Sequence, residues 1–381
     1  MRASSRPPAD DPNPSPPEAE AIRRALERAE YLVVALDAAG ALRAVAEALR
    51  LARRLGDSAA AGRAHAIAAA AHYYRGDYVA AVASGIDAFA LDGATDSQTG
   101  AKAMLGIAMS FISVGEVPRA EEAARRAIRL ATLARDRRQE AQAHLILGCV
   151  LSDARRYEDS LASLRRARSA FRRQSDAERA SAAAVNIGHL LLRQADALDG
   201  AGEPREAARC RRHARRHYRA ALDSGRPRLG AIMAQTAMAD CELGLGNVAQ
   251  AHALLAQAFG FLEPHDPAPV VARVHRYLGE VHRQEGRLQE ASRHLHAALE
   301  AADTIEGDGL AVDCRRALSR LAKDLGREAE AGRWEKDART VRDRRKEAMA
   351  DFRRRMRPTW DRYLRREPGL FPMSPTNPKD P

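Results

Sequence analysis

A pair of small residues seven positions apart returns eight times along the chain: Ala41/Ala48, Ala81/Ala88, Ala120/Ala127, Ser160/Ala167, Ala207/Ala214, Ala251/Ala258, Ala291/Ala298 and Ala331/Ala338. The second members step by 40, 39, 40, 47, 44, 40 and 40 residues. Side chains this small at so regular a period mark places where two helices approach too closely for anything larger, as in stacked helical repeats. The stretch from Ala268 to Asp303 shows the unit most plainly. Leu278-Gly279 lies in one amphipathic segment, Gly286 interrupts it, and Ala291, Leu295 and Ala298 follow at helical spacing in a second. The unit is a helix, a tight turn and a second helix, and eight such hairpins organise nearly the whole chain of 381 residues.

Composition agrees with an all-α array. Hydrophobic residues make up 45% but aromatics only 4%, so the apolar mass is mostly alanine and leucine, suited to close helix packing. No apolar run approaches the length that crosses a bilayer, and the N-terminal MRASSRPPADDPNPSPPEAE lacks the apolar centre of a secretion signal. The expectation is a cytoplasmic, bacterial protein without membrane insertion. Cys149, Cys210, Cys241 and Cys314 lie in different repeats and form no C-x-x-C pair, which argues against a disulfide framework or a thiolate metal site.

Residues 1–17 carry six prolines and no apolar periodicity, and are expected to be a disordered tail. The helical array is expected over 18–357, with turns around Asp37 to Gly40 and at Gly76-Asp77, Gly115-Glu116 and Arg155-Arg156. The step of 47 places seven extra residues in the first helix of the fifth hairpin, and the following step of 44 lengthens its partner. Residues 178–225 are therefore expected to project from one edge. A basic capping helix is expected to end at Pro358, followed by a proline-rich tail over 358–381.

These residues resemble the tetratricopeptide repeat, in which a Leu-Gly pair on the first helix faces small residues on the second. Leu147-Gly148, Ile187-Gly188 and Leu278-Gly279 stand as that pair. The resemblance covers roughly residues 18 to 350 and points to the 40-residue-period branch, as in kinesin light chain, the LGN adaptor, MalT-type regulators and Rap-type sensors. It departs from the 34-residue pattern in its longer period, in lacking the early tryptophan, and in lacking the proline that closes a unit. It implies a right-handed superhelical solenoid of about eight antiparallel helix pairs that binds a protein or peptide in its concave groove and does no chemistry in the repeats.

If first helices line that groove, residues spaced i, i+3, i+7 and i+10 share its face. The third and fourth repeats offer Lys102, Leu105, Met109 and Leu145, an apolar half; the seventh and eighth offer Arg273, Arg276, Arg283, Arg316, Arg320 and Lys323, a basic half. The ligand is then a peptide, apolar toward the early repeats and acidic toward the late ones, held by forked arginine contacts. Of the Lys/Asn clamp that some family members use for a terminal carboxylate, only Asn186 stands in a comparable place. Leu105, Met109 and Leu145 fit equally well as core between repeats.

Net charge is +11, of which residues 203–228 carry +6 and residues 339–366 carry +8. Two basic surfaces follow, one with Arg211, Arg212, Arg215, Arg216 and Arg219, the other with Arg353, Arg354, Arg355 and Arg357. They suit an acidic partner, and the alternative reading is a nucleic-acid-associated regulator. No helix-turn-helix or other nucleic-acid module is visible. A third reading is a sensor whose output domain lies on another chain. Nothing in the spacing suggests a catalytic constellation, a metal site or a phosphate-cradling loop, so neither cofactor nor enzymatic activity is expected. Cys210, His213 and His217 share a helical face, but Arg209, Arg211, Arg212, Arg215 and Arg216 surround them and repel a cation. Oligomeric state and pathway leave no mark in the residues.

Overall fold

The sixteen small residues of the eight pairs are all buried, none exposing more than 1% of its surface. The computed structural model describes residues 16–34, 37–92, 97–225, 228–305 and 309–366. Among them are sixteen helices and no strand: α1 (Pro16–Val34), α2 (Ala38–Leu55), α3 (Ser58–Tyr74), α4 (Tyr78–Asp92), α5 (Ser97–Ser113), α6 (Val117–Leu133), α7 (Arg137–Asp153), α8 (Tyr157–Arg173), α9 (Ala177–Gly200), α10 (Pro204–Leu222), α11 (Arg228–Gly244), α12 (Val248–Gly260), α13 (Ala268–Gln284), α14 (Leu288–Asp303), α15 (Leu310–Asp324) and α16 (Glu328–Arg366). They divide into two units, residues 1–146 with 354–381 and residues 147–353. Each is a stack of antiparallel helix pairs.

Why first and second helices approach so closely is visible at the glycines. A Cβ built on Gly148 would sit 2.5 Å from Leu164 Cγ, one on Gly188 2.6 Å from the Tyr218 ring, and one on Gly279 2.6 Å from Leu295. Each glycine thus makes room for a large side chain that the second helix carries among its small residues. Ser160 fills the alanine's place and adds a hydrogen bond, its hydroxyl donating to the Gly148 carbonyl at 2.6 Å.

Turns repeat as well. Gly76 and Gly115 adopt φ of 80° and 75°, the left-handed conformation that lets a helix stop and reverse. Arg155 holds the same conformation at φ 58°, with Arg156 N–H reaching back to Leu151 O at 2.9 Å. Aspartates then start several following helices. Asp57 Oδ1 accepts from Ala60 N–H at 2.8 Å, and Asp176 Oδ1 from Arg179 N–H at 3.1 Å.

Several boundaries differ from the sequence expectation. Asp37 caps α2 by accepting from Gly40 N–H at 2.8 Å, so Gly40 lies inside the helix and not in the turn. Pro16 and Pro17 belong to α1. Pro358 does not end the last helix: α16 runs on to Arg366 with Pro358 inside it. The missing N–H and the clash of its ring with the preceding turn are offset by burial, because Met356 and Trp360 are 2% and 3% exposed and Trp360 meets Phe111 edge-on at 5.1 Å in the same unit. The expected tails at 1–15 and 367–381, and the side chains of Arg362, Tyr363 and Leu364, lie outside the described residues. Helix α9 is 24 residues long and α10 is 19, whereas α3, α5, α7, α11 and α13 are each 17.

Candidate functional site

In the unit formed by residues 147–353 the first helices touch one another as well as their partners: α9 meets α11, α11 meets α13 and α13 meets α15. Polar side chains bridge this layer. Tyr277 Oη on α13 donates to Asp240 Oδ2 on α11 at 2.7 Å, and the Arg276 guanidinium lies 4.0 Å from the centre of the Tyr277 ring. Burial pushes both the Asp240 carboxyl and the Tyr277 hydroxyl above their ordinary pKa values. Burial also opposes the charge on Arg276, but Tyr277, Asp240 and Asp313 around it more than compensate. Arg276 Nε is enclosed and has no hydrogen-bond partner. Apart from this enclosed atom the Arg276 side chain remains partly open to solvent and makes no salt bridge among the described residues, which equips its terminal N–H groups to take a carboxylate or carbonyl oxygen.

One turn further along α13 the charges cancel. Arg283 pairs with Glu280 at 2.7 Å and also reaches Asp324 on α15, while Arg320 lies 3.5 Å from Glu280. Burial raises Glu280, but the arginines outweigh it and hold the carboxyl below its ordinary range. The expected basic half is thereby corrected. Arg283 and Arg320 spend their donors on Glu280 and Asp324, leaving Arg273, Arg316 and Lys323 without an ion pair among the described residues.

The expected apolar half is also corrected in part. Leu105 and Leu145 are each 8% exposed, so they are core between helices and not a ligand surface; Met109 is half-buried. Lys102 is exposed and pairs with Glu30 at 3.1 Å in its own unit. Asn186 is half-buried on α9.

Of the α10 arginines, Arg211 is 8% exposed and grips Asp196 and Asp199 of α9, so it fastens the long hairpin and is no part of a basic surface. A Cβ on Gly244 would fall 2.1 Å from Arg211 Nε, so α11 closes over it. Arg215 turns to Glu242 at 2.9 Å. Arg212, Arg216 and Arg219 stay exposed, the last two lining with Arg215 an open cleft of about 1010 Å³ at the start of α12. On α16, Arg353, Arg354, Arg355 and Arg357 are exposed. His217, beside Cys210 and His213, is pushed down to about 4 by burial and by Arg168 and Arg165. Among the described residues no group of three His, Cys, Asp or Glu is placed to hold a metal ion, and no helix is long and apolar enough to cross a membrane.

Two features escape sequence reasoning. Tyr277 carries no signal beyond standing beside Arg276. The histidines, which look scattered along the chain, are not: His252, His275, His282 and His294 meet in the second unit, beside Phe259. Their only trace was the seven-residue spacing of His275 and His282 on one face of α13.

No family model and no curated protein matches the sequence. Solved structures do. The peptide-bound quorum sensor NprR, in complex with its cognate peptide NprX, aligns at TM-score 0.56 and 11% identity over 90% of this chain and 98% of its own. The Rap conjugation gene regulator of plasmid pLS20, in complex with the Phr* peptide, gives 0.55 and 11% over 88% and 97%. The apo form of RapI gives 0.54 and 13% over 75% and 99%. At these identities the likeness speaks to architecture, and it agrees with the buried small-residue pairs: the chain has the tetratricopeptide-type helical-repeat fold found in Rap and NprR proteins.

Proposed function

We propose that the chain is a non-enzymatic regulatory adaptor that captures a peptide segment on the first-helix layer of residues 147–353. One observation carries the reading: the half-buried Arg276 guanidinium lies over the Tyr277 ring beside Asp240 and Asp313, yet makes no salt bridge among the described residues. A guanidinium that no carboxylate already engages can give forked, charge-assisted hydrogen bonds from its terminal N–H groups to an arriving carboxylate or carbonyl. Support also comes from NprR and the pLS20 Rap regulator, each solved with a peptide. The ligand needs one well-placed carboxylate or carbonyl more than it needs broad acidity, because Glu280 and Asp324 already neutralise Arg283 and Arg320. The nucleic-acid reading draws less support, since Arg211 and Arg215 face carboxylates.

The test is a random peptide library displayed on phage and panned against the full chain, with enriched peptides then measured by fluorescence anisotropy. Arg276→Glu should weaken the enriched peptides at least tenfold, whereas Arg212→Glu on α10 should leave them unchanged. No enrichment, or equal binding by Arg276→Glu and wild type, would overturn the proposal.

A further inference from the structure

The histidine cluster joins three helices. His275 on α13 and His294 on α14 point their Nδ1 atoms at each other, 3.0 Å apart. The ring of His282, about two turns further along the same face of α13, stacks on His294 at 5.2 Å with 17° between planes. His252 from α12 meets His282 edge-on, also at 5.2 Å. Phe259, again from α12, closes the other side, 5.4 Å from His275 and 5.7 Å from His294. His282 Nδ1 is buried without a hydrogen bond, its nearest carboxylate, Glu285, standing 3.7 Å away.

This arrangement constrains protonation through geometry. A hydrogen bond between two Nδ1 atoms needs one ring to donate and the other to accept. Protonating the acceptor leaves two N–H groups facing each other at a distance where neither has an acceptor. It also places a positive charge in ring contact with the next imidazole, so each further proton is harder to add. The groups facing the rings do not relieve this. From the α13–α14 turn come Glu285 and Arg287, each 3.1 Å from His252 Nδ1, an atom that donates to the one or accepts from the other but not both; on His282 Arg287 outweighs Glu285. From α14 come Glu290 and Arg293, of opposite charge, and Arg293 is the stronger influence on His294.

We infer that the seam between α12 and the α13–α14 hairpin is a proton-sensitive joint, held closed by neutral histidines and loosened as they take up protons. Its directions agree: burial depresses His275 and His282, and burial together with His275 and His282 takes His294 down to about 4. A histidine freed by opening titrates near 6.5, so the open seam binds more protons than the closed one between those values. Closure is therefore fully present above pH 6.5 and is lost as pH falls toward 4. For His294 alone, linkage raises the open population by roughly eightfold between pH 7 and pH 5.5, a ceiling that solvent screening of a part-exposed ring lowers. The inference rests on α12 to α14 alone and stands whether or not a peptide binds at Arg276.

Hydrogen exchange of the full chain, corrected for the intrinsic pH dependence of exchange, tests it at pH 7 and pH 5.5. Amides of α12 to α14 should open about threefold to eightfold more at the lower pH, those of α5 and α6, which carry no histidine, much less. The double variant His275→Asn/His294→Asn keeps a donor and an acceptor at these places but cannot titrate, and it should flatten the response. An undiminished response in that variant would overturn the inference. Should the variant fail to fold, the wild-type imidazole titration by NMR decides: midpoints below 6 for His275 and His294 support the joint, and midpoints near 6.5 overturn it.

Discussion

Gly188 stands against the ring of Tyr218, a side chain with no exposed surface and therefore no room to retreat. Gly188→Ala forces ring and helix apart, and overpacking of this kind costs about 1–3 kcal/mol. Urea denaturation should show that loss, while Gly332→Ala, whose added Cβ meets nothing within 4 Å, should show none. At this scale the sequence is readable where chemistry is local to one repeat. Ala291, Leu295 and Gly279 meet within a single hairpin, so their spacing announces the contact. Some charges behave differently, because they find a partner one repeat away. Arg193 pairs with Asp153 and Arg320 with Glu280, both 40 positions apart, and Arg283 pairs with Asp324, 41 apart. Counting arginines along one helix face therefore overstates how basic that face is.

Turns and helix ends decide the elements. Arg135, Arg155 and Ser175 hold φ of 54° to 58°, where glycine stands in the neighbouring repeats, and a side chain in this conformation costs about 1 kcal/mol. Arg155→Gly should accordingly raise stability by roughly 0.5–1 kcal/mol, net of the entropy glycine adds to the unfolded chain. A loss in thermal unfolding would show that the Arg155 side chain contributes more than its backbone costs. Helix α16 carries the opposite lesson. Pro358 looks like a stop, and reading it so overlooks Met356 and Trp360, spaced four apart and both buried. Local propensity yields there to a tertiary contact, Trp360 on Phe111. Trp360→Ala should cost about 3–5 kcal/mol in the unit that holds Phe111, and a loss under about 1 kcal/mol would mean that the helix end adds little.

At the scale of the whole molecule, the period identifies the architecture because each repeat must bury one face against its neighbour. It does not identify a site. The enclosure of Arg276 by Asp240, Tyr277 and Asp313 draws on helices α11, α13 and α15, and the histidine joint draws on α12, α13 and α14. Neither gathering exists until three helices stack, which is why spacing along any one of them left Tyr277 and the histidines unremarked. The proposal that the first-helix layer captures a peptide is tested most directly by a hydrogen-exchange footprint of the full chain with and without a peptide enriched by panning. Protection concentrated on α11, α13 and α15 around Arg276 is the predicted result; protection confined to α10, α12 and α14, with the first helices unchanged, would contradict it.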